Sequence, residues 1–210
     1  NKKLQSLEIM QKLLVATTNI GKLKEISNFL SDLPLELVSL SYLEIKDDVE
    51  ETGKTYKENS QLKALYYAER SNLPAIADDG GIEIAALDGA PGLKSNRWLG
   101  KNSTEEDIVK HMTKVAKELP NNNRAAFFKT VISLALPSGK VWSVTGEIEG
   151  VIAKKPYLKT LKGYPYRSFF YLPKIKKYYH EDQLTKEEQR MYNHRYKALQ
   201  KLRPILIKEL

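Results

Sequence analysis

The 210-residue chain contains no cysteine. That excludes disulfide staples, thiolate nucleophiles and thiolate-held metals. No stretch approaches the ~20 consecutive apolar residues of a membrane-spanning helix. Asn1 to Lys12 is polar and basic with no apolar core behind it, so it does not read as a secretory signal. Internal repeats and low-complexity linkers are also missing. Negative charge is in short supply: 26 acidic against 34 basic residues leave a net charge of +8. Such a surface favours anionic partners, phosphates first and nucleic acid second. What remains is 41% hydrophobic and 29% charged, the composition of a soluble globular protein. The length suits one sizeable domain or two interlocked lobes with a real core. The expectation is a cytoplasmic protein with an N-terminal extension, residues 1–12, and a single domain over residues 13–210; Met10 stands just before the first strand-like run.

The run Leu13-Leu14-Val15-Ala16 reads as a buried strand feeding a polar loop, Thr17-Thr18-Asn19. Leu23, Ile26, Phe29 and Leu30 then recur at helical spacing. Strand, loop and helix N-terminus in that order make an anion site, because the dipole and the free N–H groups converge there. Thr17, Thr18, Asn19 and Lys22 are its candidate phosphate ligands. Helix capping is the competing role for Thr17 and Asn19, and both roles can hold together.

Leu35 to Leu40 reads as a strand and Thr55 to Ser71 as a helix carrying Lys63, a second phosphate-neutralising candidate. Ala75-Ile76-Ala77 is a strand ending at Asp78-Asp79, where Gly80-Gly81 permits a sharp turn or close approach of a ligand. Ile82 to Leu87 resumes as a strand, Gly89 to Gly92 is a turn, and Thr104 to Glu118 is a helix. Ala125 to Leu136 and Val141 to Glu149 form a strand pair around Pro137-Ser138-Gly139. Three prolines argue against a long helix over Lys154 to Lys177, and Lys186 to Ile207 reads as helical with a kink or end at Pro204. Alternating strands and helices followed by an antiparallel pair predict an α/β fold on a mixed sheet.

Chemistry concentrates in the carboxylates. Asp79 is the candidate to hold a divalent cation and to orient or deprotonate water, with Glu51 as second ligand and Glu50 and Asp78 as substitutes. Hard oxygen donors suit Mg²⁺, which screens a polyphosphate and acidifies bound water. Phosphoryl transfer needs positioning and charge more than covalent chemistry, so the missing cysteine is no obstacle. Taken alone, Asp47 to Glu51 is equally a solvated acidic loop, and each lysine equally a surface charge.

The order of motifs resembles the Ham1-type nucleoside-triphosphate pyrophosphatases, also called inosine triphosphatases. The matching segments are Ala16-Thr17-Thr18-Asn19 with Lys22, and Glu51 to Tyr56 with Glu58-Asn59 and Lys63-Ala64. They continue through Ala77-Asp78-Asp79, Gly89 to Gly92 with Ser95 and Arg97, Gly146 with Glu149 to Ile152, and His194-Arg195. The resemblance implies an elongated mixed β-sheet with flanking helices and two lobes around a central substrate cleft. It also implies a homodimer and Mg²⁺-dependent cleavage of ITP, dITP or XTP to a nucleoside monophosphate and pyrophosphate. His194 and Arg195 would read the purine carbonyl, with Tyr164 and Tyr166 as stacking surfaces.

Several positions depart from that family pattern. The usual Asp-Asp-Ser-Gly is Asp78-Asp79-Gly80-Gly81, so Gly80 lacks a hydroxyl beside the phosphates. An acidic base-pocket residue has become Arg167, a lysine has become Gln189, and Ser-His-Arg is Asn193-His194-Arg195. A pyrophosphatase with changed base preference is the first expectation. A catalytically weak nucleotide sensor is the second, disfavoured by Asp79, Glu51 and both lysines standing together. Nucleic-acid binding by Lys154 to Tyr179 is a third, and no recognised motif supports it.

Overall fold

The computed structural model describes residues 10–210. The extension read over residues 1–12 falls for its first nine residues outside them, and its last two already belong to a strand. Among the described residues seven strands form one mixed sheet: β1 (Gln11–Val15), β2 (Leu35–Ser39), β3 (Ala75–Ile84), β4 (Ala125–Ala135), β5 (Val141–Ile152), β6 (Phe170–Leu172) and β7 (Lys177–Tyr178). Their order is β2-β1-β3-β4-β5-β6-β7. β1 pairs in parallel with β2 and β3, and the other pairings are antiparallel. Five α-helices among the described residues flank the sheet: α1 (Ile20–Leu30), α2 (Tyr56–Ser71), α3 (Glu105–Glu118), α4 (Lys186–Met191) and α5 (His194–Glu209).

Strands β3, β4 and β5 carry 10, 11 and 12 residues, and at ~3.3 Å per residue they run well past the short strands beside them. That length separates the core into two lobes. At one end Leu13, Ile76 and Ile132 pack beneath α1 and α5, while Leu14, Ala75 and Ala77 pack beneath α2 on the other face. At the far end Ile84, Met112, Phe128, Phe169 and Phe170 form the second lobe's core under α3. The cleft lies between them, midway along β3.

Two local expectations are corrected. Gly80-Gly81 makes no turn, since β3 runs unbroken to Ile84. The glycines serve close packing against the chain itself: a Cβ at Gly80 would strike the Lys129 carbonyl, and one at Gly81 the Gly92 carbonyl and the Ser95 hydroxyl. Pro204 does not end the last helix, because α5 continues to Glu209. The break comes earlier, at Asn193, whose side chain accepts from the Tyr196 N–H and caps a new helix. Capping there places His194 and Arg195 in the first turn of α5, beside the cleft.

Candidate active site

Successive residues of a strand point to opposite faces, and this divides the acidic pair. Asp78 faces α1 and α5, where Lys22 Nζ stands 2.9 Å from its Oδ1 and Arg195 Nε donates to its Oδ2 at 2.9 Å. Thr130 Oγ1 also donates to that oxygen, at 3.2 Å. Burial pushes the Asp78 carboxyl up, but Lys22 and Arg195 outweigh it and hold the group far below the usual carboxylate range. Asp78 is thus a buried structural anion rather than a substitute metal ligand. Lys22 is engaged with it, so the phosphate role expected for Lys22 competes with an ion pair.

Asp79 faces α2. Its Oδ2 accepts from Asn59 Nδ2 at 3.1 Å, and the Asn59 Oδ1 accepts from the Gly53 N–H at 2.8 Å. Lys63 Nζ lies 2.7 Å from Glu51 Oε1 and 3.6 Å from Asp79 Oδ1, and it donates to the Asp78 carbonyl at 2.8 Å. One ammonium therefore stands between the two carboxylates expected to share a metal. Arg97 approaches the other Glu51 oxygen at 3.6 Å. The Asp79 carboxyl is raised from its ordinary value by burial, against the pull of Lys63 and with the push of Glu51. Its charged form is under-compensated, which is the condition a further cation would relieve. Glu50 is exposed outside this group. Among the described residues no three His, Cys, Asp or Glu side chains converge as a complete metal cage. Glu51 and Asp79 are a two-carboxylate set, and Mg²⁺ is commonly held by one or two carboxylates with substrate phosphates and water completing the shell. The donors present fit that cation.

At the α1 N-terminus Asn19 is the cap: its Oδ1 accepts from the Lys22 N–H at 3.0 Å, and its own N–H donates to Thr17 Oγ1 at 3.2 Å. Its Nδ2 donates to the Gly163 carbonyl at 3.3 Å, tying the strand–helix loop to the segment that carries Tyr164. Thr18 is exposed and lines the neighbouring chamber.

The other half of the cleft departs from expectation. Arg167 is buried, with its guanidinium carbon 3.7 Å from the Tyr164 ring centre and 4.4 Å from that of Tyr179. Its Nη2 donates to Glu25 Oε1 at 2.6 Å. Glu25, absent from the sequence-derived set, also accepts from Arg195 Nη1 and from Asn193 Nδ2 at 3.1 Å. Burial opposes the Glu25 charge, yet Arg167 and Arg195 hold its pKa at about 2. Arg195 thus joins Glu25 to Asp78 across the first turn of α5.

The two tyrosines expected as stacking surfaces differ: Tyr164 is part-buried and borders the chamber, whereas Tyr166 is buried. Tyr166 is buried and donates its hydroxyl to the Ser95 carbonyl at 2.6 Å, so its role is structural. The Tyr164 ring is covered by Arg167, and a Cβ at Gly21 would lie 2.6 Å from its Cε2. His194 lies flat against Phe128, 5.2 Å between ring centres, and burial drives its pKa well below the ordinary histidine value. Gln189 donates to the Leu184 carbonyl at 3.1 Å beside the chamber.

That chamber has a volume of about 570 Å³ and is bordered by Glu25, Tyr164, Arg167, Tyr179, His180 and Gln189, a size suited to a small ligand. Arg167, Tyr164 and Asn19 also border the narrower space leading to Lys22, Gly80 and Arg195. Glu25 could have been suspected from its spacing, because Asn19, Lys22 and Glu25 recur every three residues on one face of α1. Nothing in the sequence pairs it with Arg167, 142 residues away.

Comparison with known proteins identifies a family. The Ham1 family model matches residues 13–205. A dITP/XTP pyrophosphatase of Thermoanaerobacter pseudethanolicus is 39% identical over 199 residues, covering 95% of this chain and 98% of the relative. A dITP/XTP pyrophosphatase of Geobacter sulfurreducens is 39% identical over 163 residues, covering 78% and 81%. A solved HAM1 protein from Coxiella burnetii superposes with a TM-score of 0.80 at 33% identity, over 95% of this chain and 100% of that one. With the carboxylate–lysine cluster midway along β3 and a family match over nearly the whole described chain, the protein belongs to the Ham1 family.

Proposed function

We propose that this chain hydrolyses nucleoside triphosphates of the ITP, dITP and XTP class to a nucleoside monophosphate and pyrophosphate, with Mg²⁺ held by Glu51 and Asp79. The observation that carries the reading is the Glu51–Lys63–Asp79 cluster, a pair of carboxylates with one ammonium between them at the cleft. Bound there, a divalent cation would neutralise phosphate charge and acidify water. The protein's own part is to set the geometry. Asn59 fixes one Asp79 oxygen and leaves the other directed towards Lys63, so the carboxylate is oriented before any substrate arrives. Asp79, oriented by Asn59, would be placed to position an attacking water or take its proton. Lys63 can exchange its carboxylate contacts for phosphate oxygens, and the free N–H groups at the α1 N-terminus add donors for an anion.

The relatives named dITP/XTP pyrophosphatase support the substrate class. The test is a panel of nucleoside triphosphates incubated with purified protein and Mg²⁺, scored for pyrophosphate. Pyrophosphate as first product, abolished by a chelator and restored by Mg²⁺, supports the reading. Orthophosphate as first product refutes it. Nucleotide binding without turnover would instead favour the sensor reading. The homodimer implied by the family resemblance belongs to the same proposal, and sedimentation velocity tests it.

A further inference from the structure

Glu51 reaches the cleft from residues 45–53, a stretch without regular structure, whereas Asp79 stands on β3. Two carboxylates from separate elements make one cation site only if something fixes their separation. Lys63 does so by charge, lying 2.7 Å from Glu51 Oε1 and 3.6 Å from Asp79 Oδ1. A second link runs through Asn59 on α2, whose side chain is buried. Its Oδ1 accepts from the Gly53 N–H at 2.8 Å, and this sets the orientation of the amide. Nδ2 is thereby turned to Asp79 and donates to Oδ2 at 3.1 Å. Asn59 is itself on a fixed support, because the adjacent Ser60 hydroxyl pairs with that of Ser133 on β4 at 2.7 Å.

Gly53 completes the link. Its φ lies outside the left-handed region, so the backbone conformation does not call for glycine. Close approach does. A Cβ here would lie 2.5 Å from Asn59 Oδ1, 2.7 Å from Glu58 Cβ and 2.9 Å from the Asn59 nitrogen. Any side chain at Gly53 therefore holds the loop off α2, and Glu51, two residues earlier, is displaced with it.

Resting on the reading of Glu51 and Asp79 as the carboxylates that hold Mg²⁺, we infer that Asn59 and Gly53 are positioning residues. Their bridge seats the Glu51 loop against Asp79 and thereby sets the affinity of the pair for a divalent cation. The two links differ in what they occupy. Lys63 spans the carboxylates with the positive charge that a cation would itself supply, and it lets go when it turns to phosphate oxygens. The Gly53–Asn59–Asp79 link uses Asp79 Oδ2 alone, leaving Asp79 Oδ1 and both Glu51 oxygens to other partners. It persists when Lys63 departs, and the hold on the loop then falls to it.

The experiment follows Mn²⁺ binding by electron paramagnetic resonance in wild type, Glu51→Gln, Gly53→Ala and Asn59→Leu. The Mg²⁺ concentration giving half-maximal turnover and the stability to urea are measured beside it. Asn59→Leu keeps the size of the side chain and removes both hydrogen bonds. Gly53→Ala lies outside the helix and displaces the loop alone, so it carries the test if Asn59→Leu does not fold. In each, Mn²⁺ affinity is expected to fall by about ten- to a hundredfold, and raised Mg²⁺ should recover part of the turnover of Gly53→Ala. A loss of stability with unchanged Mn²⁺ affinity marks a purely structural bridge and overturns the inference. Weakened binding in Glu51→Gln but not in Gly53→Ala also overturns it, while the metal reading stands. Wild type that binds no Mn²⁺, or Glu51→Gln that binds it as wild type does, overturns the metal reading and this inference with it.

Discussion

Replacing Arg167 by methionine removes a charge while retaining most of the side chain's length and its contact with Tyr164 and Tyr179. The cost can be worked from Glu25. Its carboxyl stands at about 2 against an ordinary 4.5, a difference of about 2.5 units, or roughly 3 kcal/mol of net favourable interaction with its surroundings at neutral pH. Burial alone would push the other way, so the two arginines supply more than that total, with Arg167 the larger contributor. Without Arg167, Glu25 keeps only Arg195 and Asn193. Removing one partner of a buried ion pair costs about 3–5 kcal/mol in general. The Arg195 contact survives here, so about 2–4 kcal/mol is expected. Urea unfolding of wild type and Arg167→Met at pH 7 measures it, with the slope in denaturant checked for constancy. A loss below about 0.5 kcal/mol would mean that Glu25 is satisfied by Arg195 alone and that the stacked guanidinium is dispensable to the fold. Arg167→Asp is expected to be worse than Arg167→Met, because it sets a second carboxylate beside Glu25.

The remaining predictions concern pH and the neighbouring strand. Because the folded Glu25 pKa lies below its unfolded value, its stabilisation is full above about pH 4.5 and is lost as pH falls towards 2; Glu25→Gln should flatten that part of a stability–pH curve followed by circular dichroism. Gly81→Ala drives a methyl into the Gly92 carbonyl and Ser95, and should cost about 1–3 kcal/mol in chemical denaturation; a neutral result would show that the Gly92–Arg97 segment gives way freely. Asp79→Asn should leave the fold intact and remove most turnover, whereas the adjacent Asp78→Asn should weaken the fold by leaving Lys22 and Arg195 under-compensated. Retention of more than about a tenth of wild-type kcat by Asp79→Asn, a barrier change under ~1.4 kcal/mol, would remove Asp79 from the chemistry.

The acidic pair shows where sequence reasoning reaches and where it stops. Strand alternation is local, so the opposite facing of Asp78 and Asp79 was available from the pattern Ala75 to Asp79 alone. What each meets on its face was not, because Arg195 is 117 residues from Asp78. The same division runs through the site. Motifs contiguous in the chain, such as Thr17 to Lys22 and Glu51 to Lys63, pointed to the half of the cleft proposed for phosphates, since capping, helical spacing and carboxylate chemistry are short-range properties. The chamber beside it depends on contacts between α1, the Tyr164–His180 segment and the start of α5, which no local pattern encodes. Arg167 was therefore legible as an anomaly, a cation where the family resemblance implies an acid, and its consequence was not. The anomaly was answered neither by release into solvent nor by a simple exchange of acceptor for donor. Glu25 supplies a carboxylate from a different element, Tyr164 and Tyr179 cover the guanidinium, and the acceptor is consumed inside the protein before any base arrives. A buried charge brought in by one residue must be matched by a partner, wherever in the chain that partner stands, and this requirement makes Glu25 and Arg167 a unit. Of that pair's own atoms, the buried one left without a partner is Arg167 Nε, a donor.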